Sequence, residues 1–296
     1  MEQFLTSFPK IKNYKKFKVS SGLNIAASTW GLESDPLVVL LHGGGQTRHA
    51  WGETGKKLSL SGFHVLAIDL RGHGDSDWHP DGEYGIENYK KDIVCILQEL
   101  NKPAAFIGAS LGGMTSLSIA GDSELKELCW SLVMVDIGLY PNLEGSQEIV
   151  NFMHSGSEGF ESVEEAAESV SNYLPHRKRP RDNRGLEKNL RLKDDGRYYW
   201  HWDPRFLDSR PKDMSEDYRQ RQKAFALGVE APTLLIKGAM SNILTQKEVE
   251  DFLGIIKHSE FIEIKNAAHM VAGDRNDIFA AEAIDFLENH SPLKEN

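Results

Sequence analysis

The chain has 296 residues, with 34 Lys and Arg against 44 Asp and Glu, a formal net charge of −10 and 40% hydrophobic residues. That length is enough for one large buried core or a core interrupted by an insertion, and the surplus of carboxylates argues against a nucleic-acid partner, whose affinity rests on Lys and Arg. Two cysteines, Cys95 and Cys129, make neither a disulfide framework nor a metal spacing; Met1 to Tyr14 has no unbroken apolar run and no stretch is long enough to span a bilayer, so a cytoplasmic protein without a membrane partner is expected.

Lys16 to Trp30, broken at Ser21-Gly22, reads as an antiparallel hairpin. Short apolar runs follow at Leu37 to Leu41, Phe63 to Ile68, Ala104 to Ile107, Leu132 to Val135, Thr233 to Ile236 and Phe261 to Ile264, each of strand length and composition. Between them, Ile86 to Leu100 places Ile93, Ile96, Leu97 and Leu100 at helical spacing, Leu111 to Ala120 reads as a second helix, and Ile278 to Leu287 closes the chain as another. This alternation predicts the α/β class, a mostly parallel sheet covered by helices. The interval from Val135 to Thr233 is far longer than a crossover needs. It divides the chain into a core of 1–138 and 229–296 and an inserted unit of 139–228. Within the insert, Glu161 to Val170 looks like a capped helix, the basic run His176 to Arg184 like a solvated or salt-bridged loop, and Asp194 to Phe206 mixes aromatics with charge.

Gly108-Ala109-Ser110-Leu111-Gly112 joins an apolar run to a helical one. A serine on such a sharp strand-to-helix turn is lifted clear of the sheet, and small flanking residues let strand and helix approach. Ser110 is the expected nucleophile, with the Leu111 N–H at the helix start as an oxyanion donor. His42-Gly43-Gly44-Gly45 follows the run Leu37 to Leu41, so a glycine-rich loop lies at the carboxyl edge of the sheet, and the N–H of Gly44, or of Gly45, is the second oxyanion candidate. The loop has no phosphate-binding Lys and Ser pattern. Among 11 histidines, His269 stands out, because the short loop Lys265 to Ala268 after the last strand can bring its imidazole to Ser110 as general base. His42 and His73 read as loop-bracing residues.

These motifs, together with Arg71-Gly72-His73-Gly74-Asp75-Ser76 and Ala268-His269-Met270, resemble the α/β-hydrolase superfamily in order and spacing, over the whole chain except the insert. The resemblance is closest to the branch of bacterial esterases, lactonases, haloperoxidases and epoxide hydrolases. It implies the α/β-hydrolase fold, an eight-stranded, mostly parallel sheet with a helical lid (cap) after the sixth strand, where Val135 to Thr233 falls. The family pattern also expects an aspartate after the strand Thr233 to Ile236, in Gly-x-x-Ser-Asp, but this chain reads Gly238-Ala239-Met240-Ser241-Asn242. An amide can hold an imidazole but cannot offset the charge that develops on it. Asp136, at the end of the preceding strand, is the expected replacement, with Asn242 assisting or substituting for it.

A serine nucleophile excludes the alkyl-enzyme chemistry of the aspartate-bearing relatives. The expected activity is serine hydrolysis of a small-molecule carboxylic ester or lactone through an acyl-Ser110 intermediate, with no cofactor, no metal and a monomeric or homodimeric protein. Gly45, Trp200 and Trp202 are expected at the substrate, although the aromatic run Tyr198 to Trp202 would equally suit a small core within the lid. A C–C bond hydrolase or cofactor-free perhydrolase with the same triad, or a ligand-binding protein on a hydrolase scaffold, are the alternatives.

Overall fold

The hairpin turns at Ser21-Gly22 as expected: β1 (Asn13–Lys18) and β2 (Asn24–Trp30) pair antiparallel, with Gly22 at φ +84° in the turn. β3 (Leu37–Leu41), α1 (Gly52–Leu60), β4 (His64–Ile68), α2 (Ile86–Leu100), β5 (Ala104–Ala109), α3 (Leu111–Ala120) and β6 (Cys129–Val135) then alternate. The long interval holds α4 (Leu143–His154), α5 (Val163–Tyr173), the single turn α6 (Arg184–Glu187), a hairpin of β7 (Leu190–Leu192) and β8 (Tyr198–Trp200), the single turn α7 (Arg205–Asp208), and α8 (Glu216–Gly228). The chain closes through β9 (Thr233–Gly238), α9 (Gln246–Ile255), β10 (Glu260–Ile264), the short α10 (Val271–Asp274) and α11 (Asn276–Asn289). This computed structural model describes residues 13–140, 142–175, 177, 182–208 and 215–292.

Eight strands form one sheet in the order β1-β2-β4-β3-β5-β6-β9-β10, and only the pairs made by β2 are antiparallel. β3 shows why its apolar run became a central strand. Leu37, Val39 and Leu41 enter one buried cluster with Ile93, Ile96 and Leu117, while Val38 and Leu40 enter another with Leu58, Phe279 and Phe286. Side chains alternate across a strand, so a strand with helices on both faces must be apolar at every position. Met153, Phe160, Trp200, Trp202 and Phe206 of the long interval share the first cluster. Each apolar side chain so buried contributes about 1.5–3 kcal/mol, as an upper estimate.

Differences from the expected element boundaries have simple causes. β5 and β9 run on to Ala109 and Gly238, and β6 starts back at Cys129, because pairing with neighbouring strands carries the ladder past the apolar runs. The helix expected at Glu161 starts at Val163, since Ser162 caps it by accepting the Glu165 N–H. Of the basic run, His176 and residues 178–181 lie outside the described residues, as do residues 1–12; Arg177 pairs with Asp274 at 2.5 Å and Arg184 with Asp182 at 2.9 Å. Both cysteines are free. Among the described residues no helix is long and apolar enough to cross a membrane, and no cluster of His, Cys, Asp and Glu is arranged to hold a metal.

Candidate active site

Ser110 alone makes the passage from β5 to α3, at φ +46° and ψ −112°, a backbone conformation that L residues rarely adopt and that local packing must enforce. The neighbouring glycines are what allow it. A Cβ on Gly108 would lie 2.4 Å from the Gly112 carbonyl oxygen, and one on Gly112 would lie 2.2 Å from that of Leu41. The Ser110 N–H donates to Val135 O at 3.3 Å and the Gly112 N–H to His42 O at 3.1 Å, so β6 and the glycine-rich loop both hold the turn. Leu111 is the first residue of α3. Its N–H is one of those for which the helix has no acceptor, at the positive end of the helix dipole.

In the glycine-rich loop, the Gly43 N–H is occupied by Gln46 Oε1 at 3.0 Å, whereas the Gly44 N–H has no hydrogen-bond partner among the described residues. A Cβ on Gly43 would sit 3.4 Å from Ser110 Cβ, and one on Gly44 would sit 3.0 Å from the Phe206 ring. Gly45 has φ +75°, with Met153 and Trp202 against its α-carbon. The loop therefore runs between Ser110 and the aromatic floor of the insert.

Three buried histidines brace these loops, and His201 among them was not anticipated. His42 donates from Nδ1 to Gly43 O (2.8 Å) and accepts the Leu70 N–H at Nε2 (3.0 Å). His201 accepts the Gly74 N–H at Nδ1 (2.8 Å) and donates from Nε2 to Gly45 O (3.3 Å). His73 donates to Arg71 O at 3.1 Å and packs edge-on against Phe206. Burial lowers the pKa of His42 to about 4 and of His73 to about 3, and holds His201 well below the usual imidazole value. The reading of His42 and His73 as structural agrees with these contacts. Because the folded pKa values of His42 and His73 lie below the unfolded value near 6.5, the stability they contribute is present above pH 6.5 and is lost as the pH falls toward about 4 for His42 and about 3 for His73. For His73 alone the loss between pH 7 and pH 5 is about 2 kcal/mol. Urea unfolding at the two pH values checks this, and His73→Phe is expected to flatten the dependence; an unchanged slope in that variant refutes it.

Asp136 is completely buried, at φ +50°, one residue beyond β6. Its Oδ2 lies 2.8 Å from His269 Nδ1, and its Oδ1 accepts the Gly238 N–H at 2.8 Å. Ser241 also donates its hydroxyl to Oδ2. Gly238 must be glycine, because the chain carrying His269 crosses it: a Cβ there would meet Ala268 O at 2.4 Å. The Gly-x-x-Ser segment therefore supports the carboxylate of Asp136 instead of supplying its own. The expectation that Asn242 assists or replaces Asp136 needs correction. Asn242 is exposed and donates its side-chain amide to Glu148 Oε2 on α4 at 2.7 Å, so it is spent on a contact with the insert. With Nδ1–H donated to Asp136, the Nε2 of His269 carries the lone pair that can accept a proton.

Ser110, Leu111, Gly44 and His269 border one cavity of about 620 Å³ between the sheet edge and the insert. Trp200 and Trp202 stack with ring centroids 5.1 Å apart and line that cavity, while Trp200 also packs on Phe152 and Phe160. The two uses considered for the aromatic run hold together: these rings form part of the buried cluster and one wall of the cavity. Gly45 lines it too. Sequence reading missed Ser241 and Gly238 as supports of Asp136. The serine was already visible in the motif, and its usefulness depended on Asp136 being the acid.

A family model described as the alpha/beta hydrolase fold matches residues 36–275. An esterase of Mycobacterium tuberculosis is 30% identical over 259 residues, covering 85% of this chain and 82% of its own. A 3-hydroxybutyrate-oligomer hydrolase of Cupriavidus necator is 25% identical over 260 residues, covering 83% and 86%. The crystal structure of an E-2-(acetamidomethylene)succinate hydrolase superposes with a TM-score of 0.81 at 20% identity over 93% of this chain and all of its own, a likeness of fold. The relatives support a hydrolase, and the esterase among them supports one that cleaves esters. The eight-stranded sheet, the elbow at Ser110 and the match over most of its length make this chain a member of the alpha/beta hydrolase fold family.

Proposed function

We propose that the chain is a serine hydrolase that cleaves a carboxylic ester or lactone through an acyl-Ser110 intermediate. The observation that carries this reading is the 2.8 Å contact of His269 Nδ1 with the buried Asp136, beside the cavity that Ser110 borders. His269 Nε2 takes the Ser110 proton as Oγ attacks the carbonyl, then returns it to the departing alkoxide. The Gly44 and Leu111 N–H groups receive the oxyanion, where one such donor is worth about a hundredfold or more in kcat. Water, deprotonated by the same imidazole, then releases the acid. These steps need no cofactor. The cavity falls within the size range of small-molecule sites, and the insert above it acts as a lid whose Trp200 and Trp202 give an apolar wall. The esterase among the relatives favours this reaction over C–C bond hydrolysis or perhydrolysis with the same residues.

A fluorophosphonate probe tests the proposal. One label per chain on Ser110 is expected, and none on Ser110→Ala, followed by turnover in a screen of p-nitrophenyl esters and lactones. Wild-type protein that stays unlabelled would point instead to a binding protein on a hydrolase scaffold.

A further inference from the structure

The charge of the cavity wall runs against that of the protein. In a chain with 44 acidic and 34 basic residues, the described residues bordering the cavity include Arg177, Lys188 and Arg221 and no Asp or Glu. Arg177 is already paired, with the buried Asp274. Arg221 has no ion-pair partner among the described residues. It sits on α8 beside Gln222, whose side chain is 2% exposed and whose Oε1 is buried with no protein partner. Tyr218, Arg221 and Gln222 stand at i, i+3 and i+4, so one face of α8 turns to the cavity. The same cavity is also lined by apolar residues, among them Ile137, Ile149 and Ile243.

A buried amide without a partner is uncommon and costly, and it is found here in the lining of a substrate-sized cavity. Rotation about its last bond exchanges oxygen for NH2 in the same place, so the Gln222 amide can donate to a carboxylate oxygen while Arg221 supplies the charge.

We propose that Arg221 and Gln222 select a substrate that carries a carboxylate away from the scissile bond, such as the half-ester of a dicarboxylic acid. The inference rests on the ester-hydrolase reading and names its substrate class. Arg221 and Gln222 bind the remote anion and take no part in bond cleavage.

Two pairs of esters test it: p-nitrophenyl hemiglutarate against p-nitrophenyl valerate for an acid on the acyl side, and a butyrate ester of 4-hydroxybutyrate against pentyl butyrate for an acid on the alcohol side. In at least one pair the wild type is expected to favour the anionic member in kcat/KM by about tenfold or more. Arg221→Met and Gln222→Leu are each expected to bring that ratio toward one, mainly through KM, and raising the salt concentration is expected to narrow it as well. Ratios near one in both pairs for the wild type, with neutral esters hydrolysed, overturn this inference and leave the ester-hydrolase reading standing. If no ester is turned over, calorimetric titration of Ser110→Ala with monomethyl glutarate and with methyl valerate decides independently of catalysis. Tighter binding of the acid that is lost in Arg221→Met supports the inference, and equal binding overturns it.

Discussion

Asp136→Asn is expected to lower kcat for ester hydrolysis by about ten-thousandfold, the size of the loss when the carboxylate of a Ser-His-Asp triad becomes an amide. The cause is local. Asp136 Oδ2 receives the Nδ1–H of His269 at 2.8 Å, which leaves Nε2 unprotonated and able to take the serine proton. An NH2 in that place would donate to Nδ1, put the imidazole proton on Nε2 and remove the charge that offsets the imidazolium. KM should move little, because Asp136 is fully buried behind the histidine. Asn242→Asp is the matched control and is expected to stay within about twofold of the parent, since residue 242 is spent on Glu148; the new carboxylate beside Glu148 costs only a few tenths of a kcal/mol at an exposed site. Steady-state rates on a p-nitrophenyl ester check both variants. An Asp136→Asn enzyme within about tenfold of the parent, or a large gain in Asn242→Asp, would mean that the histidine is oriented from elsewhere.

The fold was legible where one physical requirement dominates a stretch of chain. Leu37 to Leu41 had to be apolar throughout because both of its faces are covered, and Ile86 to Leu100 matched its helix residue for residue because its Ile93, Ile96 and Leu97 enter the buried cluster. The strand-to-helix turn at Ser110 was legible for a similar reason: a serine at φ +46° needs small neighbours on both sides. What escaped was set by contacts between distant segments. Asp136 was expected as the partner of His269, 133 residues away, but no local pattern says that Asn242 turns instead to Glu148 on α4, 94 residues away. β7 and β8 have three residues each, too short for any periodicity to show. His201 lay hidden within an aromatic run, and its role appears only once the Gly74 and Gly45 loops are seen on either side of it. α9 carried an available signal, the capping box from Thr245 to Glu248, which hydrophobic spacing alone does not weigh.

Asp69→Ala is expected to destabilise the fold by about 3–5 kcal/mol, the range for removing one partner of a buried ion pair. Asp69 follows β4 with no solvent exposure, and its Oδ1 accepts the Arg48 N–H at 2.6 Å while its Oδ2 accepts the Asp75 N–H at 2.9 Å. The Arg48 guanidinium, 5% exposed, bonds the same carboxylate, reaches Asp75 at 2.7 Å and donates from Nε to Ser28 at 3.1 Å. This one carboxylate thus fastens the segment after the glycine-rich loop to the sheet and to the Arg71–Ser76 motif. The packing is so close that a Cβ on Gly74 would fall 2.1 Å from Asp69 Oδ2. Removing the carboxylate leaves the buried guanidinium with only the half-exposed Asp75 to balance its charge, and leaves two backbone N–H groups without their acceptor. Replacing both charges together, as Asp69→Leu with Arg48→Met, should cost less than Asp69→Ala alone, because no unpaired charge remains inside. Urea unfolding of the three proteins gives the comparison. A loss below about 1 kcal/mol for Asp69→Ala would show that water and Asp75 offset the Arg48 charge without Asp69. A double variant worse than the single one would instead assign most of the energy to the N–H groups that Asp69 accepts, with the arginine secondary.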